Sequence, residues 1–430
     1  MRTAFLLALA LACGCTNGSA SAARAVPPDP LFSDVVACDV AESQGSIHLL
    51  LGTQSDAEQK NFTLTYTRSD DRGATWSAPT NIPTAHAPPA RMHRGDDPQV
   101  AARGSHVMAL WTVRGEGPYG SGPLATALSD DGGKTWRAGP APAARPLPLE
   151  AIAARPAAAT ASATSKKSHE SNGTGPGYRF PAATAGGDAF HVVWIHAVGE
   201  ERSLRHARLP FDGSSWSQTT LVDSRVCACC WNELHVDRDG ALAVLYRDQQ
   251  PSDMSVAVSR DAGRTWQPAG RAGRFDWNFD GCPHVGGGVT TLAAARDVPP
   301  SLLATVWTGD GGSTGAYVLT GSRDGNWSDP VPLTADGSRG RDTDVAALPD
   351  GRTAAAVWDQ AVPEGGGQGV YAVFTADAGR SWSAPRRLSA PGENASYPRI
   401  VPAGNHFVTL WTCYAADGAT TLRVRGVDPH

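Results

Sequence analysis

The 430-residue chain carries 37 basic and 42 acidic side chains, a formal net charge of −5. That near-balance excludes the strong basic excess of a nucleic-acid-binding surface, and no phosphate-cradling glycine loop or helical metalloprotease motif is present. The 47 glycines and 32 prolines make up about 18% of the residues, against a usual share of roughly 12%, so the chain is rich in turns and poor in long helices.

Residues 1–25 read as an export signal. Arg2 is the charged start, Ala4 to Ala12 form a short apolar run, and Ser19 to Ala23 supply small residues for cleavage. The run is too short to span a bilayer, which takes about 20 apolar residues. Leu11-Ala-Cys-Gly-Cys15 is similar to a bacterial lipoprotein cleavage site, with plain cleavage near Ala22 as the alternative. The expected location is therefore outside the cytoplasm: periplasmic, at the outer membrane as a lipoprotein, or secreted. Membrane contact is expected only through an N-terminal lipid. Processing leaves six cysteines, Cys38, Cys227, Cys229, Cys230, Cys282 and Cys413, an even number suited to an oxidising compartment.

Residues 26–428 read as one repeat array. Turns of one pattern recur at Ser69–Trp76, Ser129–Trp136, Ser259–Trp266 and Thr375–Trp382, in shortened form at Ser322–Trp327, and as a remnant at Asp212–Trp216. Each full copy sets an Asp to accept from turn amides, a Gly to supply positive φ, and a Trp to fold back as an apolar plug. Between the turns lie seven pairs of short strands, near 36–53, 98–112, 180–195, 232–247, 282–308, 342–359 and 397–412. Strand-only units of about 50 residues, each unable to bury both faces, are the material of propellers. The seventh unit stops near Val427 without an outer strand. The segment Leu31–Val35 is placed to complete it, and Cys38 and Cys413 to bridge the seam. Residues 138–176, rich in Ala, Pro, Ser and Thr, read as a low-complexity surface insertion.

The eight-residue turns resemble the Asp boxes, or BNR repeats, of the sialidase superfamily. The resemblance implies an all-β propeller, of seven blades by the unit count and six by the family's usual number. It also implies that Asp71, Asp131, Asp261 and Asp377 are structural, on the blade periphery. It carries residues across unevenly. Trp231-Asn-Glu233, followed by an inner strand ending at Arg247, looks like the segment in which a glutamate polarises a tyrosine nucleophile and an arginine binds the substrate carboxylate. Guanidinium suits that task because it offers a bidentate fork. The alternative is a strand-edge salt bridge between Glu233 and Arg247.

Other parts of the family pattern depart. Val36-Ala-Cys38 stands where its first arginine belongs, Trp307-Thr-Gly309 where its third does, and Asp56 occupies the place of its loop acid. Counting forward from Glu233 reaches Asp342-Thr-Asp344 instead of a tyrosine, whereas counting from the C-terminus reaches Tyr397, with Arg399 two residues on. Further charges open inner strands at Arg91-Met-His-Arg94-Gly-Asp-Asp97, Tyr178-Arg179 and Arg341-Asp342. The expected catalytic residues are thus Glu233, Tyr397, Asp97 and Asp342, and the expected anion-binding residues Arg247, Arg179, Arg399 and Arg94. For each charge singly, pairing at a blade end is the alternative.

Cys227-Ala-Cys-Cys230 and Cys282-Pro-His284 are open to two readings. One is disulfides stapling adjacent blades, with Cys227 or Cys229 joined to Cys282; the other is a soft-metal site. Three functions follow: an exo-glycosidase recognising an acidic sugar, a non-catalytic propeller binding glycan or protein, and a metal-handling protein using the cysteine cluster. The partner in the first two is a glycan or glycoconjugate, and no cofactor is expected.

Overall fold

The computed structural model describes residues 32–54, 61–142, 176–199, 201–292, 301–334, 339–362 and 367–429. The export signal, Asp56 and most of the 138–176 segment lie outside these residues. In the described chain, each apolar run pairs antiparallel with its sequence neighbour, giving seven sheets, six of four strands and one of three. These are seven blades. Their inner strands are Val35–Ser43, Gln99–Arg103, Gly177–Gly186, Glu233–Val236, Gly288–Leu292, Thr343–Ala347 and Ala395–Ala403. The seven-unit count holds.

A four-stranded sheet with two apolar faces must bury both, and neighbouring blades do this for each other. Seven apolar clusters fill the seven spaces between consecutive blades. Trp111, Trp194 and Trp358, each on the second strand of its blade, are fully buried there.

The repeated turns tie each blade to the one before. In the first, Asp71 Oδ1 accepts from the Thr75 amide at 2.8 Å and Oδ2 from the Thr75 hydroxyl at 2.6 Å, while the Ser69 hydroxyl accepts from the Gly73 amide at 2.7 Å. Asp131, Asp261 and Asp377 repeat the arrangement. Trp136 packs edge-on against Tyr66 of blade one, and Trp266 against His206 of blade three. Gly133 makes the approach possible: with φ near +90°, a Cβ there would lie 2.0 Å from the Tyr66 ring.

Three expectations are corrected. Among the described residues, the segment before blade one joins blade seven through one β-bridge, Ser33 to Thr421, with the Asp34 amide donating to the Thr420 carbonyl at 2.8 Å. Val35 already begins blade one, and among the described residues blade seven keeps three strands. Cys38 and Cys413 are free thiols. The reason is topological: Cys38 belongs to the apolar cluster between blades seven and one, Cys413 to that between six and seven. Finally, the chain past Trp136 is part of its blade. Arg137–Ala138 is the outer strand of blade two, and the Pro140 carbonyl accepts from the Trp216 indole at 2.7 Å.

Candidate functional site at the channel mouth

Inner strands are sheet edges, and their unpaired amides need acceptors. Here carboxylates from neighbouring blades supply them. Asp39 accepts from the Val100 amide at 2.9 Å, Asp344 from Ile400 at 3.0 Å, Asp97 from Cys38 at 2.9 Å, and Asp359 from Tyr397 at 3.0 Å. The acids at the mouth are therefore first of all links between blades.

One guanidinium gathers three of the channel acids. Arg399 reaches Glu233 at 3.0 Å, Asp39 at 3.2 Å and Asp344 at 3.5 Å. Burial pushes the Glu233 carboxyl up to about 7 and that of Asp39 up to about 6, with Arg399 opposing in both cases. Asp344 is raised by the same cause. Three largely buried carboxyls around one cation form a plug between the inner strands of four blades. Below it the channel encloses about 450 Å³.

Above the plug, Tyr397, Trp231, Arg94, Asp97 and Asp342 converge with Glu233 on a cavity of only about 30 Å³, room for about one water. The ring of Tyr397 stands 5.7 Å from the Arg94 guanidinium and 6.4 Å from Trp231. Its hydroxyl makes no hydrogen bond to Glu233, whose carboxylate is held by Arg399. Burial, then the neighbouring Asp342, raises the Tyr397 hydroxyl above its ordinary value. Asp342 and Asp359 face each other; burial and their mutual repulsion push Asp342 well up, and burial lifts Asp359 to about 6. Arg94 is buried, paired with Asp97 at 3.1 Å and donating to the Thr412 hydroxyl at 3.0 Å.

The arginine expected to bind an anion from blade four is elsewhere. Arg247 is 1% exposed, and its guanidinium donates to the Val285, Ser252 and Trp307 carbonyls at 2.6–3.2 Å. It stacks near Trp277 and Trp307. No salt bridge joins it to Glu233. Its place between blades four and five leaves no donor directed at the mouth.

A roomier cleft lies beside the mouth, enclosing about 500 Å³. Arg179 lines it, 3.6 Å from Asp96 and 4.6 Å over the ring of Tyr119. Tyr119 itself is 64% exposed. His93 and His284, with ring centres 5.1 Å apart, also line it, as does the Cys229–Cys282 disulfide.

Behind that disulfide are two buried free thiols. The Cys227 sulfur is 3.6 Å from that of Cys229 and 3.7 Å from that of Cys230. Burial acts to raise the Cys230 thiol, but its hydrogen bond with Cys227 and the Arg247 charge outweigh that and hold it down at about 6. Cys227 moves the opposite way. These sulfurs are the group among the described residues with the spacing of metal ligands.

The structure thus brings Glu233, Arg399, Tyr397, Arg94, Asp97 and Asp342 to one mouth, sets Arg179 in the adjoining cleft, and removes Arg247 from both. Asp39, Asp359 and Tyr119 were not among the expected site residues. Asp39 had a signal, an aspartate inside the apolar strand Val35–Val40. Tyr119 had none, because its turn becomes part of a site only when blades two and three meet.

No family model and no curated protein matches the sequence. Among solved structures, Trypanosoma rangeli sialidase aligns over 92% of this chain and 55% of its own, at 11% identity and TM-score 0.45. A Streptococcus pneumoniae sialidase aligns over 94% and 70%, at 12% identity and TM-score 0.46. The leech intramolecular trans-sialidase aligns over 92% and 68%, at 14% identity and TM-score 0.45. The chain spans about half the length of the trypanosomal enzyme. These likenesses concern fold alone, and the seven-bladed ring is read from the chain's own sheets.

Proposed function

We propose that this chain is an exported glycan-binding propeller that takes its sugar in the cleft between Tyr119, Arg179 and the paired histidines. The observation that carries the reading is the cleft itself. About 500 Å³ suits a small saccharide, an exposed tyrosine offers an apolar face for a pyranose ring, and Arg91, Asp96, His93 and His284 surround it with donors and acceptors. Recognition of an acidic sugar by a set of free arginines is less well supported. Arg399, Arg94 and Arg179 each already face carboxylates, and Arg247 faces carbonyls. Export rests on the N-terminal residues alone.

The test is calorimetric titration of neutral and acidic oligosaccharides chosen by glycan array. Binding lost in Tyr119→Ala but kept in Arg247→Lys supports the reading; no binding to any glycan overturns it. One observation favours hydrolysis as a second reading: Glu233, half-buried at the mouth, keeps a proton available up to about 7, as a general acid requires. Turnover of a fluorogenic glycoside, abolished in Glu233→Gln, would establish that reading.

A further inference from the structure

The four sulfurs at the cleft, two lining it and two behind, are arranged for more than a disulfide. The Cys227 sulfur lies 3.6 Å from Cys229 and 3.7 Å from Cys230, and all three lie within 4.8 Å of one another. The fourth, Cys282, is bonded to Cys229 and stands at the edge of this set of three. Four thiolates around a tetrahedral ion with metal–sulfur bonds of about 2.3 Å stand about 3.8 Å apart along each edge. The two separations from Cys227 are close to that edge, so three corners of a tetrahedron are nearly in place, and the fourth is reached when Cys282 parts from Cys229.

We propose that Cys227, Cys229, Cys230 and Cys282 form a reduction-gated site for one soft, thiophilic metal ion of the zinc(II) or copper(I) class. In the oxidised form the cluster holds one disulfide and two thiols. A dithiol reductant donates two electrons and two protons, becomes a disulfide itself, and turns Cys229 and Cys282 into thiols. The entering ion then forms four metal–sulfur bonds, and the displaced thiol protons pass to solvent.

The surroundings favour such a cluster. Cys227, Cys229 and Cys230 are buried, whereas Cys282 is exposed and lines the 500 Å³ cleft, which provides an entry path. Arg247 lies against Cys230, and among the described residues no carboxylate pairs with its guanidinium. A buried cation without an acidic partner is costly, and the negative charge of a thiolate cluster would offset it. The backbone is also held: the Cys227 amide donates to the Arg247 carbonyl at 2.9 Å, and the His284 ring hydrogen-bonds the Cys229 carbonyl at 2.8 Å. Ligands held from outside in this way are the ones whose orientation is set before metal arrives.

The test uses the full chain, reduced anaerobically with a phosphine that does not ligate metal, and cobalt(II) alone as the probe. The expected result is one equivalent bound, with the intense absorption of tetrahedral thiolate coordination. Zinc(II) and copper(I), added in separate arms, should each displace it, and the lower displacing concentration identifies the preferred ion. The oxidised protein should bind about 100-fold more weakly, and Cys227→Ser and Cys230→Ser about tenfold or more. Cys38→Ser, altered at the distant seam, should behave as the unaltered protein. If the reduced protein keeps its near-ultraviolet circular dichroism but takes up no stoichiometric ion, the proposal is overturned. Equal binding by oxidised and reduced protein, or binding unchanged in both cysteine variants, overturns it too.

Discussion

Glu233 of blade four and Arg399 of blade seven meet across the channel at 3.0 Å, joining inner strands that are 166 residues apart in the chain. The same guanidinium reaches Asp39 of blade one and Asp344 of blade six. Four blades therefore share one ion network on the ring axis. Its members hold the barrel together and at the same time set the charge of the mouth.

Removing the hub should expose that double role. Arg399→Met leaves three desolvated carboxyls facing each other, and loss of one partner from a buried ion network costs about 3–5 kcal/mol. Urea denaturation should show a loss of that order near neutral pH and a smaller one in mild acid, where the carboxyls take up protons. Equal losses at both pH values would contradict the assignment.

The raised carboxyls also fix the sign of a pH dependence. The native state keeps protons on Glu233 up to about 7 and on Asp39 up to about 6, where the unfolded chain has already released them. Their contribution is complete below the unfolded carboxyl values and is lost as pH rises through about 6 to about 7. Glu233→Gln should therefore show a shallower fall in thermal midpoint between about pH 5 and about pH 8 than the unaltered protein. Parallel curves would place the titration elsewhere.

The blade-to-blade turns can be tested with two glycines of similar φ. Gly45 and Gly133 lie at φ near +86° and +90°, yet a Cβ at Gly45 meets nothing within 4 Å while one at Gly133 strikes Tyr66. Gly45→Ala should carry only the conformational cost of about 1–3 kcal/mol. Gly133→Ala should cost more by the displacement of Tyr66, seen in equilibrium unfolding as the difference between the two variants.

Peptide mapping under non-reducing conditions should recover Cys229 linked to Cys282, with Cys38 and Cys413 unlinked. Cys38, buried at the seam, should alkylate only on unfolding. A Cys38–Cys413 crosslink would mean that blade seven is not seated as described.

What could be read along the chain was local. Asp71 and Thr75 are four residues apart, and the turn they close is complete within eight residues, so its repetition announced an array of blades, while the strand pairs between the turns carried the count of seven. The alternation that buries Trp111, Trp194 and Trp358 is equally a property of single strands. Arg247 and Arg399 show the limit. Each is an arginine on an inner-strand pair of a repeat unit, and nothing nearby in sequence separates them. Only ring closure points one into the axis among acids from three other blades and presses the other between blades against carbonyls. The cysteines divide the same way: Cys229 and Cys282 come from adjacent blades and meet, while Cys38 and Cys413 fall on opposite faces of blade seven. Local hydrogen bonding and strand alternation decide the parts of a propeller; the partners of a charge or a thiol depend on which blades face each other, and that is settled only when all seven have packed.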